Sequence, residues 1–294
     1  MNKRYALPLA AVLGGAAAFV LRLLQNRTGF EADTGLPVPG NPAGLTLTAL
    51  LAGLGILLCL LTRTLPQEEE PGPAFPEDFA VESPGLLTLP VCGIFLIALS
   101  GMADLGDVLG LLPEGLCLSQ HGLYSVLRAG GFGFSPVGQI LMGGLSLLAA
   151  AGLFPAVASC RRKADQPLRN LPAWLLLLPV AALVVRLVLT YRVDSVNPSL
   201  EIYYIGLLAL VFLTLGFYRL SSFAFQVGQT RRFAFYTGAG VVLSMGALAD
   251  GGVYLSTLLL YVGGGLTLLG FLLLRIASGI ESEQDDGTII GPVP

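Results

Sequence analysis

LPAWLLLLPVAALVVRLVLTYRVDSVNPSLEIYYIGLLALVFLTLGFYR, residues 171–219, decides the fold. It holds two apolar runs, 171–190 and 199–218, on either side of a short polar turn. Each run matches the ~20 residues an α-helix needs to cross a hydrocarbon core about 30 Å thick. Lipid offers no hydrogen-bond partners to an open backbone, so such runs are helices. The stretch reads as a helical hairpin in a membrane, with Arg186 inside its first arm.

The rest of the chain has the same character. Of its 294 residues 54% are hydrophobic and 12% charged, against about 25% charged in soluble domains. Its mean hydropathy is +0.77. The 38 glycines and 19 prolines lie among apolar runs, where small residues let membrane helices approach closely. The net charge of −3 includes no basic tract, which argues against a nucleic-acid partner. Cys59, Cys92, Cys117 and Cys160 form no CxxC and read as small core residues. The expectation is an all-α polytopic membrane protein with about eight transmembrane helices, at roughly 5–24, 43–62, 85–103, 136–158, 171–190, 199–218, 233–250 and 252–274. The third and seventh are the weakest. The basic, then apolar N-terminal stretch resembles a signal peptide, but it is read as a retained first helix because the repeat below uses it.

Lys and Arg in short loops set the orientation. With the N-terminus inside, eleven basic residues face the cytoplasm: Lys3, Arg4, Arg63, Arg161, Arg162, Lys163, Arg169, Arg219, Arg231, Arg232 and Arg275. Four lie outside: Arg22, Arg27, Arg128 and Arg192. The expected location is the cytoplasmic membrane with both termini inside. The acidic stretch from Glu68 to Glu82 and the acidic tail 281–294 are then expected to be solvated cytoplasmic chain. The outer loop 104–135 carries His121, the single histidine, which cannot make a metal site alone. Its segment from His121 onward reads as a short amphipathic helix on the membrane surface.

Internal similarity supports a tandem parallel 4+4 repeat. A shift of 164 lays Leu7-Pro8 on Leu171-Pro172 and Arg22 on Arg186. A shift of 156 lays Asn41-Pro42 on Asn197-Pro198 and Arg63 on Arg219. A shift of 146 lays Asp104 on Asp250, and one of 121 lays GGLSLL at 143–148 on GGLTLL at 264–269. The units are 1–163 and 164–280, followed by the tail 281–294. Four is even, so the repeats are parallel, with their axis along the membrane normal.

Charges inside spans mark candidate sites. Arg22, Asp104, Arg186 and Asp250 are placed at similar depth in the outer leaflet and are expected to pair within units, Arg22 with Asp104 and Arg186 with Asp250. Each Asn-Pro reads as a helix start, Asn as cap and Pro at the first turn. Asn41, Asn197, Arg192 and Glu201 thereby outline a candidate outer vestibule. Neither lysine lies in a span, and no HExxH, Walker or serine-protease motif occurs. No enzymatic activity, cofactor or metal is expected, and the only partner the sequence names is the lipid bilayer. Two functions compete: a permease-like carrier of a small solute, anionic if the arginines face it, and a non-transporting sensor, scaffold or accessory subunit. The topology makes a direct prediction. A cysteine introduced at residue 165 should react with impermeant thiol reagents only after the membrane is opened, and labelling in intact cells would overturn it.

Overall fold

The computed structural model describes residues 3–31, 37–65, 75–111, 134–162, 171–195, 200–250 and 254–289. These residues form eight α-helices: α1 (Ala6–Thr28), α2 (Pro42–Thr62), α3 (Pro84–Val108), α4 (Pro136–Ser159), α5 (Leu178–Asp194), α6 (Leu200–Ala224), α7 (Thr230–Ala247) and α8 (Leu255–Ile289). A 3₁₀ segment, Ala173–Leu177, leads into α5. Seven helical segments are long and apolar enough to cross a membrane, all but α7. The chain is a multi-pass membrane protein.

The helices alternate in direction between two ends. The near end holds the start of α1, and the far end holds its finish. α7 begins at the near end, where the Arg231 Nε donates to the Leu65 carbonyl, 2.9 Å away. It finishes at the far end, where Asp250 meets Arg22. The reason α7 is less apolar is its place: it packs against α1, α2, α6 and α8, and most of its 18 residues are buried. A helix largely wrapped by protein needs little lipid-facing apolar surface, so it can carry Thr237 in the core and Arg231 against the Leu65 carbonyl. α2 is the opposite case, with only Leu47, Leu58 and Thr62 buried.

The tightest packing is α3 against α8. The cause is small residues in register. A Cβ placed on Gly93 would lie 2.7 Å from the Gly263 carbonyl oxygen, and one on Gly263 would lie 2.8 Å from that of Gly93. Two turns further along α8, Gly270 leaves room for the Pro90 ring, which would sit 2.5 Å from a Cβ there. The other side of α3 meets α4 in the same way, through Gly101 and Gly143. Backbone-to-backbone approach gives dispersion contact without a hydrophobic driving force, which lipid removes.

At the near end, Phe75–Val81 folds into the bundle. Phe79 is fully buried and meets the rings of Phe223 (5.1 Å), Phe271 (5.7 Å) and Phe233 (6.1 Å) edge-on. The Arg275 NH1 lies 3.2 Å from an Asp78 carboxylate oxygen, and its Nε donates to the Thr230 hydroxyl at 3.0 Å. Val81 exchanges backbone hydrogen bonds with Cys160 and Arg162 just past α4.

Several expectations are corrected here. The stretch ending at Glu82 is not solvated throughout, because Asp78 is buried as the counter-ion of Arg275 and carries Phe79 in with it. α6 does not end at Arg219 but continues to Ala224, since Leu220 and Phe223 are buried in the core. α3 extends through Val108, so the outer loop begins later than 104. Helix α8 runs on to Ile289, into the acidic tail. His121 and Cys117 lie outside the described residues.

The glycine seam can be tested. Gly93→Ala should cost about 1–3 kcal/mol through overpacking. Gly53→Ala on α2, where nothing lies within 4 Å of the new Cβ, should leave stability unchanged. Melting temperatures of the two variants in detergent check this.

Candidate functional site

All four charges singled out from the sequence meet near the far end, in two ion pairs, but with partners exchanged. Arg22 pairs with Asp250, Nε to Oδ1 at 2.5 Å. The Arg186 NH2 pairs with the Asp104 Oδ2. The expected pairs, Arg22 with Asp104 and Arg186 with Asp250, do not form. The cause is helix placement. α1 packs chiefly on α7 and α2, and Asp250 follows α7 directly, so Asp250 is the carboxylate within reach of Arg22. Each pair thus joins residues from the two halves of the chain.

Depth follows from helix rise. Arg22 is sixteen residues beyond Ala6, or ~24 Å along α1 at 1.5 Å per residue. That sets it within two turns of the far end of α1, which closes at Thr28. Both arginines are 1% exposed, and burial without counter-charge costs several kcal/mol per ion.

The arginines are also satisfied beyond their carboxylates. Arg22 NH1 donates to the Gln25 Oε1 (2.9 Å) and to the Glu201 carbonyl (3.0 Å). Its NH2 donates to the Ile202 carbonyl at 2.7 Å, and its guanidinium lies over the Tyr204 ring. Asn26 donates to the Ala249 carbonyl at 2.9 Å, fixing the turn that carries Asp250. The second pair is built similarly. Arg186 NH1 donates to the Thr257 hydroxyl at 3.3 Å, and the Ser100 hydroxyl, one turn before Asp104 on α3, donates to the Ser256 carbonyl at 2.6 Å. Tyr261, buried on α8, donates to the Gly206 carbonyl at 3.1 Å. The Thr190 hydroxyl, one turn beyond Arg186, is buried with no partner among the described residues.

The vestibule residues do not join this cluster through their side chains. Asn41 caps α2, its side chain accepting from the Ala43 N–H at 2.7 Å. Arg192 and Glu201 are exposed, and only the backbone of Glu201 reaches Arg22. Asn197 lies outside the described residues. Among the described residues no group of three or more His, Cys, Asp or Glu side chains comes together.

Reading the sequence missed Gln25, Asn26, Ser256, Thr257 and Tyr261. One signal was present: Arg22, Gln25 and Asn26 have the i, i+3, i+4 spacing of one helix face. Comparison with protein-family models, curated proteins and solved structures finds no match to this chain.

A double-mutant cycle tests the exchanged pairing. Arg22→Gln or Asp250→Asn alone should cost about 3–5 kcal/mol, since each leaves a buried charge uncompensated. Together they should cost much less than the sum. Arg22→Gln with Asp104→Asn should be additive within roughly 0.5 kcal/mol. Strong coupling of Arg22 to Asp104 would restore the original pairing.

Proposed function

We propose that the chain is an eight-span protein of the cytoplasmic membrane and works as a non-transporting subunit, a sensor, scaffold or accessory protein without catalytic activity of its own. The observation that carries this reading is the seam between the halves. α3 of the first half meets α8 of the second backbone to backbone at Gly93 and Gly263, which leaves no width for a solute between them. The arginines that would draw an anion are already engaged by Asp250, Asp104 and backbone carbonyls.

Eight spans are favoured because α7 starts beside Leu65 at one end and finishes beside Arg22 at the other. With α7 counted, both termini lie at the near end, together with Arg63, Arg161, Arg219, Arg231, Arg232 and Arg275. The bias toward basic residues on the cytoplasmic side then orients that end inward.

The 4+4 repeat is part of the same reading. The exchanged pairs favour it, because the first helix of each unit supplies the arginine and the third helix of the other unit, or the turn after it, the aspartate. The packing elsewhere has diverged: α6 lies on α7, whereas α2 lies on α7 and α1.

A second reading, carriage of a small anionic solute, has one observation in its favour. The ion pairs bridge the halves near the far end, where separation would open an outer vestibule. Cysteine accessibility distinguishes the two. Ser146→Cys and Thr237→Cys place thiols at positions buried midway along α4 and α7. In a fixed bundle both should stay unmodified by small water-soluble methanethiosulfonates in membranes, while an exposed loop cysteine reacts. Modification of either at a comparable rate, at rest or with added anions, would favour the carrier.

A further inference from the structure

The arginines at the near end are not all used in the same way. Arg275 is held by Asp78 and Arg231 by the Leu65 carbonyl. Arg219 has no carboxylate or carbonyl partner among the described residues. Its guanidinium lies over two tyrosine rings instead, 5.6 Å from the centroid of Tyr218 and 5.7 Å from that of Tyr236. Its Nε is buried and unpartnered. Arg219 as a whole is only half-buried, so the side chain is not wholly enclosed with its Nε.

Three further observations give this place a shape. Arg232 and Tyr236 are four residues apart on α7 and share a face. Arg232 is exposed, so a second guanidinium stands one turn nearer the end of the bundle than the Tyr236–Arg219 stack. On the other side of Tyr236 its ring meets Phe212 of α6, 6.1 Å between centroids. Along the α6–α7 pair the order from the end inward is therefore cation, aromatic ring with a second cation, then apolar ring. Arg219 is nineteen residues beyond Leu200, or ~28 Å along α6. That distance matches a hydrocarbon core of about 30 Å and sets Arg219 where acyl chains give way to headgroups.

We infer that Arg219, Arg232 and Tyr236 form a binding site for the phosphate of an anionic phospholipid in the leaflet at the near end, with one acyl chain running along Phe212. The chemistry is specific. A guanidinium at the headgroup layer without a protein acceptor takes a phosphodiester oxygen by charge-assisted hydrogen bonds. Stacking on tyrosine holds the planar fork in place. Basic sites between helices on the cytoplasmic side suit anionic headgroups. A headgroup with its own cation, such as choline, brings a positive charge toward Arg232 and loses the advantage. In the orientation proposed above this leaflet is the cytoplasmic one, but the site rests only on the geometry of α6 and α7. It holds equally for a carrier or a scaffold.

The test uses the full chain, purified in a neutral detergent, with melting temperature measured against added dioleoylphosphatidylglycerol, dioleoylphosphatidylcholine or inorganic phosphate. Phosphatidylglycerol should raise the melting temperature saturably, and phosphatidylcholine and inorganic phosphate should not. In Arg219→Gln the half-saturating concentration should rise about tenfold, the loss of one charge-assisted contact. Arg219→Lys should fall between, keeping the charge but not the stacked fork. If Arg219→Gln does not fold, Arg232→Gln at the exposed position should still weaken the response. Equal protection by phosphatidylcholine overturns the inference, as does an unchanged half-saturation in the folded glutamine variants. Equal protection by inorganic phosphate overturns it in favour of a free-anion site.

Discussion

An arginine inside a low-dielectric bundle must find a carboxylate, and that requirement governs the far half of this molecule. Arg22 and Arg186 cannot shed their charge, because a guanidinium stays protonated. Each therefore dictates what surrounds it. Arg22 draws in the turn after α7, the start of α6 and the Gln25 amide. Arg186 draws α5 toward α3 and α8. The two clusters fix the relative height of six helices, and Tyr261 ties α8 to α6. The glycine contacts of α3 then set how closely the same helices approach. Charge determines register along the bundle axis, and small residues determine spacing across it.

The membrane class and most helix limits were legible because hydropathy over 20 residues is a local property. α2 illustrates this: Asn41-Pro42 announces its start, and its apolar run ends by Arg63. That four charges lie inside or at the ends of the helices was legible for the same reason. Their partners were not. Pairing depends on which helices are neighbours, and nothing in the residues around Arg22 tells α3 from α7 as its neighbour. A pairing rule that kept each unit self-contained chose the wrong carboxylates. The i, i+3, i+4 polar face at Arg22, Gln25 and Asn26 predicted a polar contact surface but not its occupant.

A misreading and a weak reading share a cause. The segment before Glu82 looks acidic and therefore solvated, yet Phe75 and Phe79 flank Asp78 and carry it inward, leaving Glu77 exposed. The segment at 233–250 is among the weakest of the expected spans because α7 is less apolar than the rest, and α7 lies largely among other helices. In both cases composition was taken to report contact with water or lipid, when the surroundings were protein. Composition is informative for the bundle's outer helices and weak for its centre.

The aromatic strap at Phe75–Val81 has a consequence for how the chain is assembled. It precedes α3, yet its binding surface is made from Phe223 of α6, Phe233 of α7, and Phe271 and Arg275 of α8. During synthesis from the N-terminus that surface is complete only after Arg275 has been added, almost two hundred residues after Phe79. Until then the strap has no resting place, and the near end of the growing bundle stays unsealed. Closure of that end therefore waits for α8, so a chain cut short before α8 lacks both a helix and the seat for the strap.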